Sequence, residues 1–224
     1  LRRAFSAKTK AIIVNTPNNP SGKVFTHDEL QQIAALCQEF DTLCITDEIY
    51  EHILYDHHEH VSIATLPGMY ERTITISGLS KTFSVTGWRL GYMIAPAHLS
   101  NALRKVHDFL TVGAPAPLQE AAAIAIEQAD SYYHKRGLLL NALREAGFHC
   151  HQPQGAYYIM ADFSDLGFRG DDTAFAHHLI EKVGVAPVPG SSFYKGTAGS
   201  TMIRFTFSKS EETLLEAARR LGGM

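Results

Sequence analysis

Two short apolar runs without alternation, Ala11-Ile12-Ile13-Val14 and Leu43-Cys44-Ile45-Thr46, constrain this chain more than anything else in it. A strand that is apolar on both faces is buried on both faces, as in parallel sheets. Between the two runs lies a helix pattern. Thr26-His27-Asp28-Glu29 has capping-box spacing, and Leu30, Ile33, Ala34 and Cys37 follow at i, i+3, i+4 and i+7. A third strand is expected at residues 73–76, after a loop containing Pro67 and Gly68, and a fourth at 90–95. The class is α/β, a mostly parallel sheet with flanking helices. Polar residues collect at the strand ends, where open α/β sheets bind ligands.

The second half has a different texture. A helix is expected at 99–110 and a break with Pro and Gly at 111–117, a candidate hinge. A long Ala-rich helical stretch then runs over 118–146, closed by Gly147. Strand patterns follow at 157–161, 185–188 and 202–207, with helices at 173–183 and 211–221. Ser208-Lys209-Ser210-Glu211 has the form of a second capping box. Residues 1–114 are therefore read as part of a large domain, and 115–224 as a linking helix plus a small α+β domain.

Composition excludes several functions. A net charge of -3 with no basic run gives no footprint for nucleic acid. No apolar run approaches the roughly 18 residues that cross a bilayer. Cys37, Cys44 and Cys150 form no C-x-x-C pair, so neither a disulfide framework nor a thiolate zinc site is expected. A reducing, cytoplasmic setting follows. The chain opens on Leu1 within what reads as a helix end or linker, so its first residue is expected not to be the natural one.

Each early strand ends on a distinctive group. Asn19 follows the first, Asp47 and Tyr50 the second, and Ser77, Ser80 and Lys81 the third, with Arg89 one short loop on. If the strands are neighbours, these groups share a crevice. A lysine for a Schiff base, a carboxylate for a ring nitrogen, donors for a phenolate oxygen, and serine with arginine for a phosphate are what pyridoxal 5'-phosphate (PLP) requires. Other clusters carry less. Asp56-His57-His58-Glu59-His60 is expected to be a solvated loop, because consecutive loop residues rarely converge as ligands. Glu48, His177 and His178 are read as structural, and Trp88 and Tyr92 as packing. Ser80-Lys81-Thr82 lacks the glycines of a P-loop.

Four segments, NTPNNPSG, TDEIYEHILYD, SGLSKTFSVTGWRLGY and MIRFTF, resemble in order and spacing the motifs of fold-type I PLP-dependent aminotransferases of class I/II. The likeness covers essentially the whole chain and is greatest to the branch with aspartate, aromatic, methionine and kynurenine enzymes, leaning toward the methionine, aromatic and kynurenine type. It implies that Lys81 is the Schiff-base lysine and proton shuttle, and that Asp47 pairs with the pyridinium nitrogen. Tyr50 and Asn19 would bond the ring oxygen. Ser80, Arg89 and Ser77 would hold the phosphate, and Arg204, with Asn19, would bind the substrate's α-carboxylate. The family's serine often stands three residues before the lysine, where this chain has Gly78. The resemblance further implies amino-acid and 2-oxo-acid substrates and a homodimer. The family's chains run longer at the N-terminal side, which carries the phosphate turn and the ring-stacking aromatic. This chain is therefore expected to be the C-terminal part, binding PLP poorly and not turning over alone. Two alternatives stay open, a PLP-dependent C–S lyase and the aminotransferase-like effector domain of a transcriptional regulator.

Overall fold

A computed structural model describes residues 1–125 and 132–224. Contacts divide the chain into two units, one of residues 1–17 and 24–130, the other of residues 18–23 and 131–224. The sequence reading places the change at 114/115 instead. The part of the expected long helix at 126–131 lies outside the described residues.

The first unit is built on a sheet of order β1 (Ala11–Asn15), β2 (Leu43–Asp47), β3 (Thr73–Gly78) and β4 (Gly91–Ile94). The first three strands are parallel and β4 is antiparallel to β3. Helix α1 (His27–Glu39) makes the crossover from β1 to β2. Its capping box is complete, with Glu29 N donating to Thr26 Oγ1 at 3.2 Å and Thr26 N to Glu29 Oε2 at 2.9 Å. All four residues of the expected stripe are buried, and they meet Val14, Cys44, Ile63 and Met69. Leu30 and Met69 reach 0 % exposure; burying such a side chain contributes about 1.5–3 kcal/mol. The sheet's other face is less covered, since Ile13 on β1 is 74 % exposed and Met93 on β4 is 44 %. Helices α2 (Leu79–Thr82), α3 (Ala97–Leu110) and α4 (Ala116–Ala125) complete the unit's regular structure.

The second unit has an antiparallel sheet of order β5 (His149–Cys150), β6 (Tyr158–Asp162), β8 (Met202–Thr206) and β7 (Val188–Pro189). Helices α5 (Tyr133–Glu145), α6 (Asp172–His178) and α7 (Glu211–Leu221) belong to it. Leu139 and Leu143 of α5 and Leu214 and Leu221 of α7 are buried, as are Ile203 and Phe205 of β8. Strand alternation leaves Met202, Arg204 and Thr206 on the opposite face of β8, half-buried.

The structure corrects four expectations. The stretch 118–146 is not one helix, because Tyr132 is non-helical between α4 and α5; its close is as expected, with Gly147 at φ +92° and Phe148 N donating to Leu143 O. The cap of α7 is Ser210, whose hydroxyl accepts from Thr213 N, while Ser208 bonds Thr206 instead; two polar residues in register each look like a cap in sequence. The strand expected at 185–188 shrinks to β7, and the helix expected at 173–183 is α6 followed by a π-turn, Leu179–Val183.

Candidate active site

In the first unit the strand ends are level. The register sets Asn15 beside Asp47 and Asp47 beside Ile76. Side-chain and backbone bonds lock them. Asn15 Nδ2 and Thr16 N both donate to Asp47 O at 3.1 Å, and Glu48 N donates to Ile76 O at 2.8 Å. Alternation puts Cys44, Thr46 and Glu48 on the α1 face and Ile45 and Asp47 on the other. The Asp47 carboxylate accepts from Ile49 N at 3.2 Å. Tyr50 follows in the turn and is 2 % exposed.

β3 ends at Gly78 and the chain passes straight into α2, which carries Ser80 and a half-buried Lys81. Gly78 is a steric requirement. A Cβ there would lie 2.8 Å from Leu90 O and 2.9 Å from Gly91 Cα, which accounts for glycine where the resembled family often has serine. Thr86 joins two of the three residues expected to hold the phosphate, Ser80 and Arg89. Its hydroxyl donates to Ser80 O at 2.9 Å, and its carbonyl accepts from Arg89 Nη1 at 3.0 Å. Arg89 holds φ 55°, a left-handed conformation uncommon outside glycine. The Ser77 hydroxyl donates to Glu51 Oε1 at 2.6 Å.

Around this turn the structure shows residues that the sequence reading set aside. His60 is not solvated. Its side chain is 11 % exposed and its Nε2 lies 2.8 Å from Glu48 Oε2, so the expectation of a solvated 56–60 loop fails at this residue. Tyr92 is more than packing, because its hydroxyl donates to Glu51 at 2.9 Å. Burial pushes the Tyr92 phenol up; Glu51 adds to the rise and Ser77 opposes it. It stays a donor.

The second unit holds Asn19 and Arg204. The 18–23 segment is a tight turn, with Gly22 N donating to Asn18 O and Asn18 N to Lys23 O, each at 2.8 Å. Gly22 has φ +70°, and its carbonyl accepts from Gln154 N and Gly155 N at 3.0 and 2.9 Å. Arg204 stands on β8 between β6 and β7. Its guanidinium carbon lies 4.1 Å from the Tyr158 ring centroid and 4.6 Å from that of Phe193. Two aromatic faces fix its plane and favour its charge. Nη1 donates to Asn19 Oδ1 at 2.9 Å, and Nε is buried with no hydrogen-bond partner among the described residues. A planar cation with a donor that no described protein group takes is suited to a carboxylate. Neither Tyr158 nor Phe193 carries a sequence signal for this role; only the sheet register and the return of the chain at 193 bring them to Arg204.

A family model described as aminotransferase class I and II matches residues 1–221. Among curated proteins, the kynurenine–oxoglutarate transaminase of Dictyostelium discoideum is 40 % identical over 97 % of this chain and 57 % of its own length. The solved N-succinyldiaminopimelate aminotransferase of Mycobacterium tuberculosis superposes with a TM-score of 0.93 at 40 % identity, covering 99 % of this chain and 60 % of that one. YbdL of Escherichia coli, whose structure reports a methionine aminotransferase function, superposes with a TM-score of 0.92 at 34 % identity, over 100 % of this chain and 61 % of its own. The chain thus spans less than two thirds of these relatives' length.

Proposed function

The chain belongs to the class I and II aminotransferase family, and on that premise we propose that it is the lysine-bearing part of an enzyme that moves an amino group between an amino acid and a 2-oxo acid. The observation that carries this reading is Arg204, stacked between Tyr158 and Phe193 with a buried Nε awaiting a partner. Both substrates of a transamination carry a carboxylate beside the reacting carbon, and a guanidinium so held suits that group and not a neutral one.

The family is PLP-dependent. The donor set of the first unit fits that cofactor. Asp47 stands at the end of β2 and Tyr50 in the turn after it, Ser80 and Lys81 stand on α2, and Arg89 follows the short helical turn Thr86–Trp88. Bound there, the cofactor supplies the electron sink that makes a Cα–H bond of an amino acid breakable. Asp47 holds the pyridine N–H as an acceptor. Tyr50 donates its hydroxyl to the ring oxygen. Ser80 and Arg89 hold the phosphate. Lys81 tethers the cofactor and carries the proton away from substrate Cα and back. In the second unit Arg204 holds the α-carboxylate and Asn19 orients Arg204 through Nη1. Homodimeric assembly and a cytoplasmic setting complete the proposal. Free Cys37, Cys44 and Cys150 accord with a reducing compartment, and among the described residues no helix is long and apolar enough to cross a membrane.

The test is covalent trapping. Borohydride makes even a weakly held cofactor permanent on its lysine. The chain is incubated with PLP, reduced, and mapped by peptide mass. The expected label is on Lys81, and it disappears in Lys81→Ala. A label spread over surface lysines, equal in parent and variant, overturns the reading.

A further inference from the structure

Tyr50 lies three residues beyond β2, where strand pairing no longer fixes the backbone, yet its proposed work demands a set position. The turn is gripped on both sides of it. Glu48, 1 % exposed, accepts from Thr46 Oγ1 at 3.0 Å and Ser62 Oγ at 2.9 Å through Oε1, and from His60 Nε2 at 2.8 Å through Oε2. Glu51 Oε1 accepts from Ser77 on β3 and Tyr92 on β4 at 2.6 and 2.9 Å. The backbone closes the loop, with Glu51 N donating to Glu48 O at 2.8 Å.

A buried carboxylate is expensive. Its desolvation costs several kcal/mol unless every lone pair is met. Here both Glu48 oxygens are met, by donors from β2 and from the loop before β3. Ligand atoms of Glu48, Glu51 and His60 lie within 4.8 Å of one another, which suggests a metal site. The donors argue otherwise. Both oxygens of Glu48 and one of Glu51 already accept from hydroxyls and an imidazole N–H, so the Glu48 carboxylate is engaged in holding the turn; His60 Nδ1 is buried with no hydrogen-bond partner among the described residues.

We propose that Glu48 is a positioning residue for the reaction: with His60 and Ser62 it anchors the 47–51 turn from the α1 face, so that Asp47 and Tyr50 meet the cofactor ring from the other. Glu51 ties the same turn to the strand that leads to Lys81. The inference rests on the function proposed above for Asp47 and Tyr50. Glu48 itself touches neither ring nor substrate. It acts through the backbone of the turn.

Hydrogen exchange on the chain reads the anchor without any cofactor. In Glu48→Ala and in His60→Ala, the amides of Ile49, Tyr50 and Glu51 are expected to exchange about tenfold faster, with β1 and α1 unchanged. Glu48→Gln keeps the shape and the hydroxyl bonds and is expected within about threefold of the parent. A second arm adds PLP and borohydride. The fraction trapped on Lys81 should fall about tenfold in Glu48→Ala and recover in Glu48→Gln, since misplaced ring partners weaken capture. Turn amides unchanged in both alanine variants overturn the proposal. So does a uniform rise across the whole unit in both, which marks a plain core residue. If Glu48→Ala does not fold, His60→Ala and Ser62→Ala carry the same comparison. Failure of the parent to trap PLP on Lys81 counts against the proposed function, while the exchange arm still decides whether Glu48 holds the turn.

Discussion

Arg204 shows what one side chain gains from its surroundings. Tyr158 and Phe193 hold the guanidinium plane, Asn19 takes one Nη1 donor, and Nε has no partner among the described residues. Lysine could keep the charge but neither the stack nor the fork. Arg204→Lys is therefore expected to weaken amino-acid binding by about 10- to 150-fold, the loss of a charge-assisted hydrogen bond of about 1.5–3 kcal/mol. Titrating the cofactor-loaded protein with substrate checks this; an unchanged Kd would remove Arg204 from the site. The motif around residue 204 was legible in sequence because it is contiguous. Its aromatic walls were not, because they come from β6 and from the stretch after β7. The burial of His60 is hidden in sequence for the same reason, since its partner Glu48 lies twelve residues back, outside its own loop.

At the scale of elements, capping chemistry marks where α1, α6 and α7 begin. Thr26 and Glu29 satisfy each other's backbone donors at the start of α1. Thr26→Ala is expected to cost about 1 kcal/mol, read as a lower urea midpoint with unchanged slope. The two serines before α7 make a sharper comparison. Ser210→Ala removes the hydroxyl that accepts from Thr213 N and is expected to destabilise by about 0.5–2 kcal/mol. Ser208→Ala loses only its bond with Thr206 and should cost less. Equal losses would restore the capping box expected from sequence. α1 is legible because its burial stripe is local; β1 and β2 are legible as strands, while their two-sided burial is not, since Ile13 is left exposed. β5 and β7, of two residues each, are held by pairing to β6 and β8; no local pattern announces β5, and the strand pattern at 185–188 overstates β7.

For the molecule as a whole, pH separates two kinds of group. Arg219 first, then Arg220, hold the exposed Glu216 carboxyl down to about 2 through hydrogen bonds. A carboxylate lowered by folding lends stability above its unfolded value and loses it as pH falls from about 4.5 toward 2. Salt screens so exposed a pair, so the effect on stability is small. Carboxyl NMR should find the Glu216 midpoint near 2, and near its ordinary value in an Arg219→Ala, Arg220→Ala double variant. Burial works the other way on Cys150, pushing its thiol up to about 11. At pH 8 its thiolate fraction falls about a hundredfold relative to the ordinary thiol. Native Cys150 should resist alkylation and react readily in denaturant; fast native labelling would contradict the burial.

The crossing of residues 18–23 into the second unit bears on how such a protein can be divided or recombined. A piece beginning at residue 131 would leave behind the carbonyl of Gly22 that receives Gln154 and Gly155, and the amide of Asn19 that orients Arg204. The chain passes between the units at 17/18, at 23/24 and again at 130/131. Exchange of the second unit between relatives by one genetic crossover would therefore pair an arginine with another protein's asparagine turn. The two must be inherited together, and a swap that respects function carries residues 18–23 along with the C-terminal sheet.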